Sequence, residues 1–451
     1  MSVARNLGLL VALGACGDNV APGWHVARGA LRAPDGRAVI LRGVNLSGAQ
    51  KSAPYLDDKT PADYARIRDA WGMNAIRFIM TWSAVEPDEG RYDDAYLDAV
   101  AERLAWAEAA GLAVVLEMHE DVYGEGFGFD GAPRWTCDPA RYAAFVPKDP
   151  WFLSSLDPNV TACVDDFYTT PARRQHFIDA WGHVAARLAS APAVIGFDLL
   201  NEPNWGTYPI FQFEQDRLLP LYTEIVAAVR ASAPGWVAFV EPSASRNVGI
   251  ATKLTALPFE NAMYAPHSYD QGAESGNGFD PSHRQKLLDS ARELADEARA
   301  LGAGLWIGEY GGMASQPGIV EYMTAQYDAA GQVAGSTMYW AYDRSDGYGL
   351  LAPDGSEKAN LLGALVRPYP ERVAGQPLAY AFDPPTQTFT LTYAPDRFSD
   401  LPTELSVPAR VYPNGFHVDC DGCAYETSTG ALRILSPPAA SPAVVVIRPV
   451  R

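Results

Sequence analysis

Asn201-Glu202 directly follow the apolar run 193–200, and Glu309 directly follows another, 304–308. Each carboxyl therefore stands at the C-terminal end of a β-rich segment. Arg77, His119, His267, Tyr269 and Trp340 lie at or just beyond the ends of further runs of the same kind, 73–79, 112–118, 262–266 and 336–340. Any one of these residues alone is ordinarily structural, a satisfied core histidine or a packed tryptophan. Two carboxylates facing each other across one mouth are more specific. One can protonate a leaving oxygen while the other meets the carbon from the opposite face, which is what glycoside hydrolysis demands.

Such a mouth needs a scaffold that brings strand ends together. The β-rich runs are 38–44, 73–79, 112–118, 193–200, 236–240, 262–266, 304–308 and 336–340, with helical periodicity over 92–110, 172–190, 212–232, 284–301 and 316–330. Eight strands alternating with helices predict an α/β fold, a closed (β/α)8 barrel whose catalytic residues sit at the strands' C-terminal ends. The stretch 24–33, followed by Pro34-Asp35-Gly36, predicts a hairpin sealing the barrel's other end. Beyond about residue 370 the helical period disappears, and alternating runs at 386–393, 403–411 and 443–448 predict a small antiparallel β-sandwich that serves as a packing module. The expected layout is a leader over 1–15, a tether over 16–23, the barrel over 24–370 and the sandwich over 371–451.

The connection 119–171 is too long to be a bare link and is crowded with aromatic residues. On the catalytic face it would form either an apolar wall over the site or a small core of its own. Tyr123 and Tyr168, together with Trp205, Tyr208 and Phe211 from the stretch 204–213 after Glu202, are the expected lining of an apolar groove.

A formal charge of −19 argues against nucleic acid or an anionic lipid surface as partner. Residues 1–15 carry Arg5 and a short apolar run, too short to span a bilayer, that ends Leu13-Gly14-Ala15-Cys16. This resembles a bacterial lipobox and implies export with a lipid anchor on Cys16; a plain cleaved signal is the simpler alternative. The chain has 5 cysteines. Setting Cys16 aside leaves Cys137 with Cys163, restraining the long connection, and Cys420 with Cys423, closing a turn. A redox CxxC lacks its surrounding βαβ unit, and the two pairs are too far apart in sequence for a four-ligand zinc site.

The runs FDLLNEP (197–203), APHSY (265–269) and WIGEYGG (306–312) resemble glycoside hydrolase family 5. LRGVN (41–45) followed by Lys51, MHEDVYGEGFG (118–128), and the tail from Tyr369 through VPARVYPNGF (407–416) are similar to its endoglycoceramidase branch. The resemblance covers about residues 25–451. Glu120 departs from it, standing where the branch has an amide, and so does the longer, cysteine-bearing segment 129–165. The resemblance implies Glu202 as acid/base, with a raised pKa, and Glu309 as ionised nucleophile steadied by Arg77 and Tyr269. It implies Asn201 on the sugar 2-OH, His119 and His267 orienting sugar and carboxylates, and Trp340 under the sugar ring. Lys51 and Asp121 would bind hydroxyls of the next sugar.

GxSxG, Walker A, HExxH and GxGxxG motifs are absent, and 343–354 lacks EF-hand spacing. Neither a cofactor nor a metal is expected. The reading is a monomeric retaining β-glycosidase cleaving a glucose-linked glycan from ceramide or a similar apolar aglycone. The alternatives are an endo-β-1,4-glucanase or β-glucosidase on soluble substrates, and a catalytically dead carbohydrate-binding barrel.

Overall fold

The computed structural model describes residues 23–397, 399–435 and 442–450. The expected leader, most of the tether and Cys16 lie outside the described residues. The barrel strands are β4 (Arg42–Leu46), β5 (Ala75–Thr81), β6 (Ala113–His119), β7 (Val194–Asp198), β8 (Val237–Val240), β9 (Ala262–Tyr264), β10 (Gly304–Tyr310) and β11 (Ser336–Tyr342). They are parallel and closed in the order β10-β11-β4-β5-β6-β7-β8-β9. Their residues are rich in Val, Ile and Leu because a parallel sheet wrapped by helices is buried on both faces.

The inward positions fall into two layers. At the bottom, Leu41, Ala75, Val115, Val237 and Trp306 form a dry plug, to which Leu31 and Val39 belong. These last two come from the N-terminal strands β1 (His25–Ala27), β2 (Ala30–Arg32) and β3 (Ala38–Val39). Two residues further along their strands, Ala75 gives way to Arg77 and Val115 to Glu117, so the upper layer is charged. Register places Asn45 beside Arg77 and Glu117 beside Asp198.

Around the barrel run α1 (Asp94–Ala109), α2 (Pro158–Thr169), α3 (Pro171–Leu188), α4 (Leu219–Arg230), α5 (Arg284–Leu301) and α6 (Ile319–Gln332). Helix α2 was not expected and lies inside the long connection. Asp157 caps it by accepting from Asn159 N at 2.9 Å, and Pro158 occupies its first turn. Its apolar face, Val160, Val164, Phe167 and Tyr168, packs into the barrel's outer core. The Cys137–Cys163 disulfide fastens it to the preceding loop, with Cα atoms 5.5 Å apart.

The C-terminal strands are β12 (Tyr369–Val373), β13 (Gly375–Asp383), β14 (Thr388–Pro395), β15 (Thr403–Ser406), β16 (Phe416–Cys420), β17 (Ala424–Ser428), β18 (Ala431–Leu435) and β19 (Ala443–Pro449). Two antiparallel sheets enclose Phe389, Leu391, Leu405, Ile434 and Ile447. One has the order β13-β14-β19-β16; the other, β1-β2-β3-β12-β15-β18-β17, includes the N-terminal hairpin. The hairpin thus both plugs the barrel and extends the sandwich, and β12 straddles the expected boundary at residue 370. The turn between β16 and β17 passes from one sheet to the other and carries the Cys420–Cys423 disulfide.

Candidate active site

Arg77, wholly buried on β5, organises the mouth. It donates to Glu309 Oε1 at 2.6 Å, Asp198 Oδ2 at 2.8 Å, Glu241 Oε1 at 2.7 Å, and the side-chain oxygens of Asn45 and Asn201 at 3.1 Å. Glu117 lies 3.2 Å from it. Four carboxylates around one guanidinium cannot all ionise in a dry layer. Burial pushes Glu117 up to about 8 against the pull of Arg77. It pushes Asp198 up as well, with Glu241 beside it. Sequence reasoning missed Glu117, Asp198, Glu241 and Asn45. Their signal was a lone polar group inside or just beyond an apolar run.

Glu202 stands just past β7 with φ +41°, in the left-handed region that a residue bearing a Cβ rarely adopts. Its backbone N–H donates to Glu241 Oε2 at 2.8 Å, which holds that conformation. Its Oε1 accepts from Asn247 Nδ2 at 2.6 Å and lies 2.6 Å from His267 Nδ1. His267 Nδ1 is also 3.5 Å from Glu309 Oε2, so one imidazole stands between the two carboxyls. Tyr269 donates to Glu309 Oε2 at 2.9 Å. One oxygen each of Glu202 and Glu309 lie within 4.8 Å of one another. Carboxyls this close are arranged for one of them to attack directly.

The charge distribution corrects the expected raised pKa of Glu202. Burial pushes Glu202 up, but the His267 hydrogen bond and charge outweigh it and hold the carboxyl below its ordinary range. Glu309 is pushed up to about 7 by burial, against the attraction of His267 and Arg77 and with the Glu202 and Glu241 charges adding to the rise. Burial opposes a charge on His267, yet Glu241 and Glu309 raise its pKa well above the usual value, so it is an imidazolium.

On the other side of the mouth His119 and Trp340 stack in parallel, ring centroids 5.3 Å apart. His119 Nδ1 lies 2.7 Å from Glu117, while its Nε2 is buried without a hydrogen-bond partner and 3.9 Å from Asp121. Burial, with Lys51 and Arg77 near, keeps this ring neutral. Lys51 pairs with Asp121, lies 3.7 Å from the unexpected Asp130, and sits 4.6 Å above the Trp340 ring. His119, Asp121 and Asp130 have the spacing of metal ligands, but the Lys51 ammonium already occupies the space among the carboxylates. Among the described residues, Asn201 keeps one N–H and one lone pair free after its bonds to Arg77 and the Glu120 carbonyl. Glu120 borders a small cavity of ≈ 20 Å³ walled by Trp82, Tyr123, Phe167 and Leu200, and burial pushes its carboxyl well above the usual range.

The expected groove needs correcting. Tyr123 and Tyr168 are interior: Tyr123 donates to Thr136 Oγ1 at 3.0 Å, and Tyr168 packs edge-on against Phe213. Both rings belong to the apolar cluster that surrounds the barrel. Trp205 and Tyr208 are half-buried and Phe211 is exposed, so only that wall of the groove is open. The two segments do meet, through Asn204 Nδ2 to the Ser155 carbonyl at 2.9 Å and Thr207 Oγ1 to Asp165 at 2.6 Å.

The family model for Cellulase (glycosyl hydrolase family 5) matches residues 33–346, and that for the glycoside hydrolase family 5 C-terminal domain matches residues 367–447. The chain belongs to glycoside hydrolase family 5. Endoglycoceramidase I of Rhodococcus hoagii (strain 103S) is 28% identical over 417 residues, covering 88% of this chain and 82% of that one. The structure of endo-glycoceramidase II from Rhodococcus sp. in complex with ganglioside GM3 superposes with a TM-score of 0.85 at 30% identity, over 94% of this chain and 99% of that one. The same enzyme's lactosyl-enzyme intermediate gives 0.84 at 30%, over 93% and 99%. This family 5 chain is a retaining glycoside hydrolase.

Proposed function

We propose that the chain is an endoglycoceramidase, cleaving the bond between the glucose of a glycan and ceramide or a closely similar apolar aglycone. The observation that carries the reading is the asymmetry of the mouth. On one side lie His119, Trp340, Lys51 and Asp121, a ring platform edged with hydrogen-bonding groups suited to sugars. On the other, the segment that follows Glu202 carries the half-buried Trp205 and Tyr208 and the exposed Phe211. The likeness to endoglycoceramidases over most of the chain supports it.

In the first step a Glu309 oxygen attacks the anomeric carbon while Glu202 gives its proton to the aglycone oxygen, which leaves as an alcohol. In the second, Glu202 takes a proton from water as that water attacks the same carbon, and Glu309 is released. Glu202 Oε1 is held by Asn247 and His267, which leaves Oε2 as the oxygen to carry the proton. The free site holds the needed proton on the wrong carboxyl, since Glu309 is pushed up to about 7 and Glu202 is held low. Substrate corrects this by excluding water from Glu202, which raises its pKa. The total number of protons does not change.

Parallel kinetics test the substrate class. A glycosphingolipid should be cleaved with kcat/KM at least about a hundredfold above that for a cello-oligosaccharide, because each buried methylene contributes about 0.8 kcal/mol. Equal turnover of the two would replace the reading with a soluble glucanase.

A further inference from the structure

We propose that the tip of the connection between β6 and β7 docks on the surface of a zwitterionic lipid bilayer. Val146, Trp151, Phe152, Leu153 and Leu156 are 70%, 48%, 44%, 39% and 53% exposed. All five come from eleven consecutive residues, 146–156, whereas the other exposed large apolar side chains among the described residues are scattered along the chain. A water-soluble domain gains nothing from gathering such groups at one projecting point.

The tip is held rigid. Lys148 N donates to Ser154 Oγ at 2.9 Å, Trp151 packs against Phe129 with ring centroids 6.1 Å apart, and the Cys137–Cys163 disulfide ties its base. Its position names the occupant. The Ser155 carbonyl accepts from Asn204, two residues after Glu202, so the tip stands at the rim of the catalytic mouth. Phe211, 62% exposed, adds a second open apolar ring seven residues beyond Asn204. Within the tip Lys148 is followed by Asp149 and lies 3.6 Å from Asp157, so residues 146–156 carry no net charge. Bulky apolar groups including Trp and Phe, on a segment without net charge, are the composition of a tip that enters the headgroup layer of an uncharged surface. The net charge of −19 turns the molecule away from anionic lipid, which leaves zwitterionic lipid as the partner.

The inference deepens the glycolipid reading and rests on it. A ceramide aglycone resides in a bilayer, and a lip resting there lets its chains pass toward Trp205 and Tyr208 without crossing water.

The test uses the full chain carrying Cys16→Ser, so that no lipid anchor contributes, and a second protein that also carries Trp151→Ser, Phe152→Ser and Leu156→Ser. Both are sedimented with phosphatidylcholine vesicles free of glycolipid. The first should bind and the second should partition at least about tenfold less. Both should hydrolyse a water-soluble aryl β-cellobioside equally, which shows the second is folded. Equal vesicle binding by the two proteins, or none by the first, overturns the proposal. So does a dimer in buffer that the three substitutions dissociate, since a second copy would then be the occupant. If binding is lost as expected but neither protein cleaves a glycosphingolipid, the lip stands and the substrate reading falls.

Discussion

Two carboxyls that share His267 titrate as a pair rather than singly. The working form carries one proton between Glu202 and Glu309. One step of the pair lies below the ordinary glutamate range and the other at about 7. The kcat/KM profile should therefore be bell-shaped with its alkaline limb near pH 7, activity falling as the pH rises and the shared proton leaves. His267→Asn removes a positive charge that lowers both pKa values, so the alkaline limb should move to higher pH while kcat falls; an unmoved limb would remove His267 from the proton account. Glu202→Gln and Glu309→Gln should each cost roughly 10²–10⁴ in kcat with unchanged circular dichroism. Arg77→Met leaves four buried carboxylates without their counter-charge and should cost about 3–5 kcal/mol in denaturant unfolding. The groups at strand ends were legible because an apolar run points at them. Glu117, Asp198 and Glu241 were not, since a single carboxylate amid apolar neighbours reads as a pattern defect until the barrel turns it inward.

At the scale of elements, the connection from β6 to β7 shows what pattern reading loses. Helix α2 had its markers in Asp157-Pro158 and in apolar residues at 160, 163, 164, 167 and 168. The density of aromatic rings around it left a wall over the site and a buried core both open, and Tyr123 and Tyr168 went to the interior. A ring's destination depends on which side of the helix faces the barrel, and composition does not contain that. The Cys137–Cys163 link closes 26 residues, for which chain entropy alone contributes about 3–4 kcal/mol. Replacing both cysteines by serine should lower the thermal midpoint and raise proteolysis within 138–162 first. Turnover of an aryl β-cellobioside should change less than turnover of a glycosphingolipid.

At the scale of the molecule, barrel and sandwich share a sheet and a seam. Strand β3 pairs with β12, Tyr327 donates to the Pro368 carbonyl at 2.5 Å, and Tyr369 and Ser406 both bond the Gly72 carbonyl. The two bodies should unfold in a single calorimetric transition, and removal of 371–451 should leave an insoluble barrel with its Tyr327 seam exposed. The sandwich was legible as alternating strands, but its use of the N-terminal hairpin was not, because that pairing joins segments more than three hundred residues apart. What this assembly does is read most directly in its first product. A glycosphingolipid should be incubated with the protein and followed by proton NMR over the earliest turnover, with the products then weighed by mass spectrometry. The account predicts an intact oligosaccharide released as the β-anomer together with ceramide. Release of the α-anomer, or of monosaccharides one at a time from the glycan's far end, would contradict it.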